Sequence, residues 1–399
     1  MLNDNAIDKM IQPIMDRQEK INVFVLTNIA NKVREMGTIS PSDIKKLKLL
    51  VSMGTDITLM NRELARLSNL QVKDIKDVIK RVAIEANLDA KPLYDYRHKS
   101  FIPYENNSKL QQYVKVVGER TTETFKNIAK SKATGFLIRD LKNPTKLKFQ
   151  TIDDTYKSVI DEAIQSVKSG VDYRVAMRRT LKQLTDSGIR RIYWDSGYTQ
   201  RLDTVVKRNI LDGVRSINQL IEDENGKKLN ADGKELSAHV NCAVDHELFQ
   251  GHTFKNEEFE KLQNNEDFTD INNNTFLAVN RIIGDYNCRH VARSVIIGVS
   301  KPRFTQAQLQ NMIDNNHRGY YLSNGKHLTM YECTQMQRKL ETKIRYAKEE
   351  QITLKEAGDI EGAKIVRMRV IKYINELEKF SNDCGLKMSR DRIKVSGYR

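Results

Sequence analysis

S-A-H-V-N-C-A-V-D-H (237–246), Q-G-H-T-F (250–254) and Y-N-C-R-H (286–290) frame the stretch on which the reading of this chain turns. Four of the seven histidines and two of the four cysteines fall between 239 and 290, so two clusters of soft ligands stand on either side of a loop. That arrangement suits a small metal site or a nucleophile–base pair. His239, Cys242 and His246 are spaced three and four apart, which on a helix would put all three on one side. Cys288 and His290 form a C-x-H pair farther on.

Several chemistries fit these residues. Any four of His239, Cys242, His246, Cys288 and His290 would satisfy a tetrahedral zinc ion, although the spacing matches no standard finger. A hydrolase would use Cys242 or Cys288 as nucleophile beside a histidine base. A nuclease would use His239 or His290 as base, with Asp245 or Glu247 assisting. It would also need a cation, because this stretch holds more Asp and Glu than Lys and Arg. The plainer alternative is a polar knot that closes the loop. The isolated His98 offers no comparable set, and Cys333 and Cys384 read as small buried hydrophobes.

Working outward, the 399 residues suffice for more than one domain, and 39% hydrophobic and 30% charged content with six prolines points to a helical protein. The net charge of +15 permits contact with nucleic acid or an acidic partner. The span 171–221 is basic, with Arg174, Arg178, Arg179, Lys182, Arg190, Arg191, Arg201, Lys207, Arg208 and Arg215; the last seventy residues are basic too. DNA contact from such flanking helices would be salt-sensitive and indifferent to sequence. No apolar run is long enough to span a bilayer, and the N-terminus lacks the apolar core of a signal peptide. The expectation is a protein made in a cytoplasm, with no membrane partner.

The fold expected is mostly α with a small α+β central domain, an N-terminal helical region and a C-terminal antiparallel helical hairpin. The parts are a helical docking region (1–108), a helical connector (109–192), the α+β domain with the His/Cys cluster (193–328), and the hairpin with a basic tail (329–399). Apolar periodicity predicts helices over 1–36, 56–68 and 72–86, with another restarting at Ser40-Pro41-Ser42-Asp43 after Gly37 and marked by Ile44, Leu47, Leu50 and Val51. Residues 87–108 read as irregular. Tyr94, Tyr96, Phe101 and Tyr104 interleave there with Arg97, His98 and Lys99, either to pack the loop down or to stack on bases. Farther on come an extended segment at 146–151 after the Lys142-Asn143-Pro144 turn, helices over 153–169 and 171–187 joined at Gly170, and a turn at Ser196-Gly197-Tyr198 beyond Trp194. A helix is expected from Thr199, then a loop over 222–235, a strand at 236–238, an Asn-rich loop, and a strand near 295–297. A hairpin turn at Asn324-Gly325 precedes two long helices, 329–357 and 360–380, reversed at Gly358-Asp359. The tail reads as extended.

Five motifs in order carry a resemblance. They are Y-W-D-S-G-Y-T-Q-R-L-D-T from Tyr193, S-A-H-x-x-C-A-x-D-H-E-L-x-Q-G from Ser237 with Phe254, I-I-G-x-Y-N-C-R-H from Ile282, G-V-S-K-P from Gly298, and Y-E-C-T-Q-M-Q-R-K-L-E-T-K-I-R from Tyr331. Together the chain resembles the phage minor capsid protein 2 family, among the head-morphogenesis proteins similar to the phage Mu F protein. The resemblance implies a bacteriophage virion protein in the capsid interior or portal region, assembled in the host cytoplasm. It implies partnership with the portal protein and other capsid proteins, non-specific contact with double-stranded DNA, and no enzymatic activity. His239, His246, Cys288 and His290 match the family's distinctive positions and become the ligand set for a structural zinc, with Cys242 outside the required pattern. The alternatives carried forward are a DNA-processing enzyme or toxin using the His/Cys centre, and a sequence-independent DNA-binding protein.

Overall fold

Ile11, Ile14, Val25, Leu26 and Ile29 fall on one face of α1 (Asp4–Gly37), and all are buried. The structure, a computed structural model, describes residues 4–37, 43–140, 143, 145–168, 171–193, 195–270, 274–278, 288 and 290–398. Trp194, Lys142, Pro144, Gly170, Ile282, Ile283 and Tyr286, used in the sequence reading, lie outside the described residues. α2 (Asp43–Asp89) is one helix where three were expected, one restarting at Asp43 and two more over 56–68 and 72–86. Met60, Leu67, Ile75, Ile79 and Val82 lie buried along it. A continuous packed face outweighs the weak local breaks at Ser68-Asn69.

The 87–108 segment is more regular than expected. It holds a short α3 (Lys91–Tyr96), and Asn107 then caps α4 (Ser108–Ile128) by accepting the Leu110 N–H at 3.2 Å. Tyr94 is buried edge-on to Phe101, with ring centroids 5.6 Å apart, so these two aromatics pack the segment down. Tyr96 is exposed.

Next comes a four-stranded antiparallel sheet with order β2-β1-β3-β4. Its strands are β1 (Thr134–Arg139), β2 (Leu147–Thr151), β3 (Arg190–Tyr193) and β4 (Tyr198–Arg201), with α5 (Ile152–Lys168) and α6 (Tyr173–Ser187) between β2 and β3. β2 was expected, but β1 was not, because T-G-F-L-I-R is a short apolar run with no clean alternation. β4 occupies the start of the helix expected at Thr199, since Arg190 Nε donates to Thr199 Oγ1 across the ladder at 3.0 Å.

α7 (Leu202–Leu229) runs through most of the loop expected at 222–235. The polar residues there are packing groups. Asn225 accepts the Tyr94 hydroxyl at 3.0 Å, Glu222 accepts the Ser294 N–H at 3.1 Å, and Gly226 lets Ser294 approach. Asn230, at φ +50°, supplies the left-handed cap that ends the helix.

The central domain follows, with β5 (Gly233–Leu236), β6 (Thr253–Lys255), α8 (Asn256–Asn264), a β7 (Phe268–Thr269)–β8 (Thr275–Phe276) hairpin in the Asn-rich tract, and β9 (Ala292–Val295). β6, β5 and β9 make an antiparallel sheet in that order. The two strands expected at 236–238 and 295–297 are therefore present but begin earlier. Phe249, Phe254, Phe259, Phe268 and Phe276 form its small core.

α9 (Gln306–Arg318) leads to the expected hairpin, β10 (Tyr320–Tyr321) and β11 (His327–Leu328), with Gly325 at φ +80°. α10 (Met330–Glu356) and α11 (Ile360–Asp383) are the expected antiparallel pair. The tail is not simply extended. It makes a 3-10 turn at Arg390–Ile393 and is strapped down, with Lys348 Nζ donating to Ile393 O at 2.7 Å. The main core draws residues from Ile11 to Ile393, so the N-terminal helices, the first sheet and the C-terminal pair share it.

Candidate metal centre

β5 and β9 pair in antiparallel register, with Leu236 opposite Ala292 at the end of the ladder. Ser237 N then donates to Val291 O at 2.9 Å, and Val291 N to Ser237 Oγ at 3.1 Å. The chain leaving β5 therefore carries His239 to the same place from which His290 enters β9. Strand pairing explains why residues far apart in sequence converge.

His246, Cys288 and His290 come together, their ligand atoms all within 4.8 Å of one another. Cys288 Sγ lies 3.3 Å from His290 Nδ1 and 3.8 Å from His246 Nδ1. Zinc–ligand bonds of about 2.0–2.3 Å in a tetrahedron put neighbouring donor atoms about 3.4–3.7 Å apart, so the donor set fits zinc in type and spacing. His246 and His290 are buried. The His239 ring packs against His290, centroids 4.7 Å apart, with its Nε2 3.1 Å from Ser237 Oγ. It adjoins the group without being one of the three converging residues.

The 239–246 stretch is not a helix. Asn241 takes φ +59°, and a single 3-10 turn at Val244–His246 delivers His246. Cys242 stands apart from the triad, and burial together with Glu247 and Asp245 pushes its thiol up to about 12. A thiol that reluctant to ionise is a poor nucleophile. His252 lies against Phe254 and Phe276, with burial pushing its pKa down.

A shell of polar residues fixes the loop. Buried Gln250 accepts His239 N–H at 2.9 Å. Buried Glu247 takes Asn316 Nδ2 and lies 2.7 Å from His317 Nε2. Asn316 also donates to Cys242 O at 3.2 Å and accepts Tyr331 N–H at 2.8 Å, which ties the loop to α9 and the first turn of α10. Of the two carboxylates considered as catalytic assistants, Glu247 thus serves as an anchor. Sequence reasoning missed Gln250 and Asn316; Gln250 stood within the quoted Q-G-H-T-F, whereas Asn316 lies outside every quoted motif. His290 also lines an open cleft of about 360 Å³, with Leu236 and Phe259 on its walls and Arg120, Arg215 and Asp223 supplying charge.

The basic run at 171–221 is largely engaged internally. Arg178 pairs with Asp359, Lys182 with Asp186 and Lys207 with Asp8, while Arg191 donates to Asn127 O. Arg201 is buried beside Asp203, with Tyr346 under its guanidinium at 4.0 Å and Glu349 Oε1 3.7 Å away. Burial pushes the Asp203 carboxyl up, but Arg201 and Arg345 outweigh it and hold it down at about 2. Two of the quoted motifs, around Arg201 and Arg345, therefore build a buried ion network that joins α7 to α10.

The family model described as Phage minor capsid protein 2 matches residues 2–382. The chain belongs to that family. This minor capsid protein is thus a structural component of a bacteriophage virion, and its partners include other capsid proteins. No curated relative and no solved structure matches it. Among the described residues no helix is long and apolar enough to cross a membrane.

Proposed function

We propose that this minor capsid protein acts in head morphogenesis, docking at the portal in the head interior, with its His/Cys centre serving as a structural zinc clasp. The observation that carries the clasp is the position of the triad where β5 and β9 meet, with Gln250, Glu247 and Asn316 holding the loop in place. Every polar neighbour named there anchors backbone or another anchor. Zinc would cross-link the exit of β5 to the entry of β9 and stabilise a domain whose own apolar core is small. His246, Cys288 and His290 would hold it, and a turn of His239 away from Ser237 would supply a fourth donor. Contact with packaged DNA is left out of the proposal, because so much of the basic run at 171–221 is engaged within the fold.

Location tests the portal reading. Purified heads and portal-containing assembly intermediates are treated with an amine cross-linker and analysed by mass spectrometry. The expected result is a few copies per head, with cross-links to the portal protein. Absence from heads, or cross-links to the major shell protein alone, would overturn it.

A further inference from the structure

The inward side of α11 is an ordinary core stripe, with Ala363, Val366, Val370 and Leu377 buried. Its outward side carries a second apolar row, in which Ile365, Met368 and Ile371 are 65%, 69% and 45% exposed. A helix that has already buried one stripe gains nothing inside the fold from another. The i, i+3, i+6 spacing sets the three residues on one inclined ridge, the kind that seats in the groove of a second helix.

The surrounding charge is predominantly positive, although Glu361 stands four residues before Ile365. Lys364, Arg367, Arg369 and Lys372 lie between 362 and 375, and no Asp or Glu does. Met368 has Lys364 four residues before it and Lys372 four after, and Arg367 stands four before Ile371, so cations border the ridge on the helix surface. Arg369 reaches back to Glu350 at 2.8 Å. Lys364 pairs with Glu361 at 2.9 Å, but both are well exposed, and such a pair opens at little cost. A second copy laid on the same ridge would set lysines against lysines. A DNA duplex would take the cations and leave Ile365, Met368 and Ile371 without an apolar counterpart.

We propose that this face of α11 is the seat for an amphipathic helix of another protein, one whose apolar stripe is bordered by Asp or Glu. Charge complementarity sets the partner's polarity, and the ridge sets its helical form. The inference does not depend on the portal reading.

The test uses the full chain and two fluorescent helical peptides of about five turns. Both carry the same leucine stripe, flanked by Glu in one and by Lys in the other. Anisotropy should report binding of the Glu-flanked peptide only. Met368→Asp, and the pair Lys364→Glu with Lys372→Glu, should each weaken it about tenfold or more while leaving the melting temperature unchanged. Equal binding of both peptides, binding of neither, or binding indifferent to the substitutions would overturn the proposal. So would retention of a DNA duplex, of phosphatidylglycerol vesicles, or of a second copy of the chain that is lost on Met368→Asp while the peptide is not bound.

Discussion

Arg345 Nη1 donates to Asp203 Oδ2 at 3.0 Å, joining α10 to the first turn of α7 across 142 positions of sequence. Asp203 is buried, and Arg201 contacts the same carboxylate from the other side. Removing one member of a buried ion cluster leaves the others desolvated and unmatched, which costs about 3–5 kcal/mol. Asp203→Asn is therefore expected to lower the free energy of unfolding by about 3 kcal/mol in urea titrations. A loss below about 1 kcal/mol would mean that the cluster does not hold these helices together.

Glu19 gives the fold a pH dependence near neutrality. Burial pushes its carboxyl up to about 7, against a Ser396 N–H that donates to Oε2 at 2.8 Å and favours the ionised form. Its Oε1 is buried with no hydrogen-bond partner among the described residues. A carboxyl whose folded value is raised binds its proton more tightly in the folded state. Its contribution is then full below the ordinary value of 4.5 and is lost as pH climbs through about 7. Stability should fall between pH 5 and 8, and Glu19→Gln should flatten that fall by about 3 kcal/mol. Parallel stability curves for the two proteins over this range would rule out the assignment.

How far the sequence alone led can be judged residue by residue. Periodicity found α1, α10 and α11, and Asn324-Gly325 located its hairpin, because these signals are local. The convergence of His246, Cys288 and His290 was legible only as a set of candidates. What brings them together is the pairing of Leu236 with Ala292, and no local pattern encodes which strands pair. The loop read into 222–235 shows the opposite failure. Glu222, Asn225 and Gly226 open a polar run rich in turn formers, yet each answers a neighbour distant in sequence, Ser294 or Tyr94. Tertiary contacts overrode local propensity there. The basic run misled in a similar way, since the ion partners of Arg178 and Arg201 could not be seen without the fold.

Gly226 supplies a prediction in which two effects of opposite sign compete. Replacing a mid-helix glycine with alanine ordinarily stabilises by about 1 kcal/mol. Here a Cβ would fall 2.8 Å from Ser294 Cβ and closer still to its Oγ. Ser294 cannot turn aside, because its Oγ donates to Glu222 O at 2.7 Å and its N–H to Glu222 Oε2. Forced overpacking of this kind costs about 1–3 kcal/mol. The clash should win, and Gly226→Ala should lower the melting temperature. A rise would show that β9 can shift away from α7.

The proposed zinc clasp makes the sharpest demands. Protein purified without chelator should hold about one equivalent of zinc by elemental analysis, as one tetrahedral site requires. Cys288→Ser and His290→Ala should each remove it and lower the melting temperature, because a structural ion contributes directly to folding. Cys242→Ser should keep it, since that thiol lies outside the triad. His239→Ala separates two versions of the site. Loss of zinc would make His239 the fourth ligand, whereas full retention would leave that position to water or another donor. A chelator should lower the melting temperature of the parent protein and leave the Cys288→Ser variant where it is. Less than about a tenth of an equivalent in the parent protein would reduce the centre to a hydrogen-bonded knot of His246, Cys288 and His290.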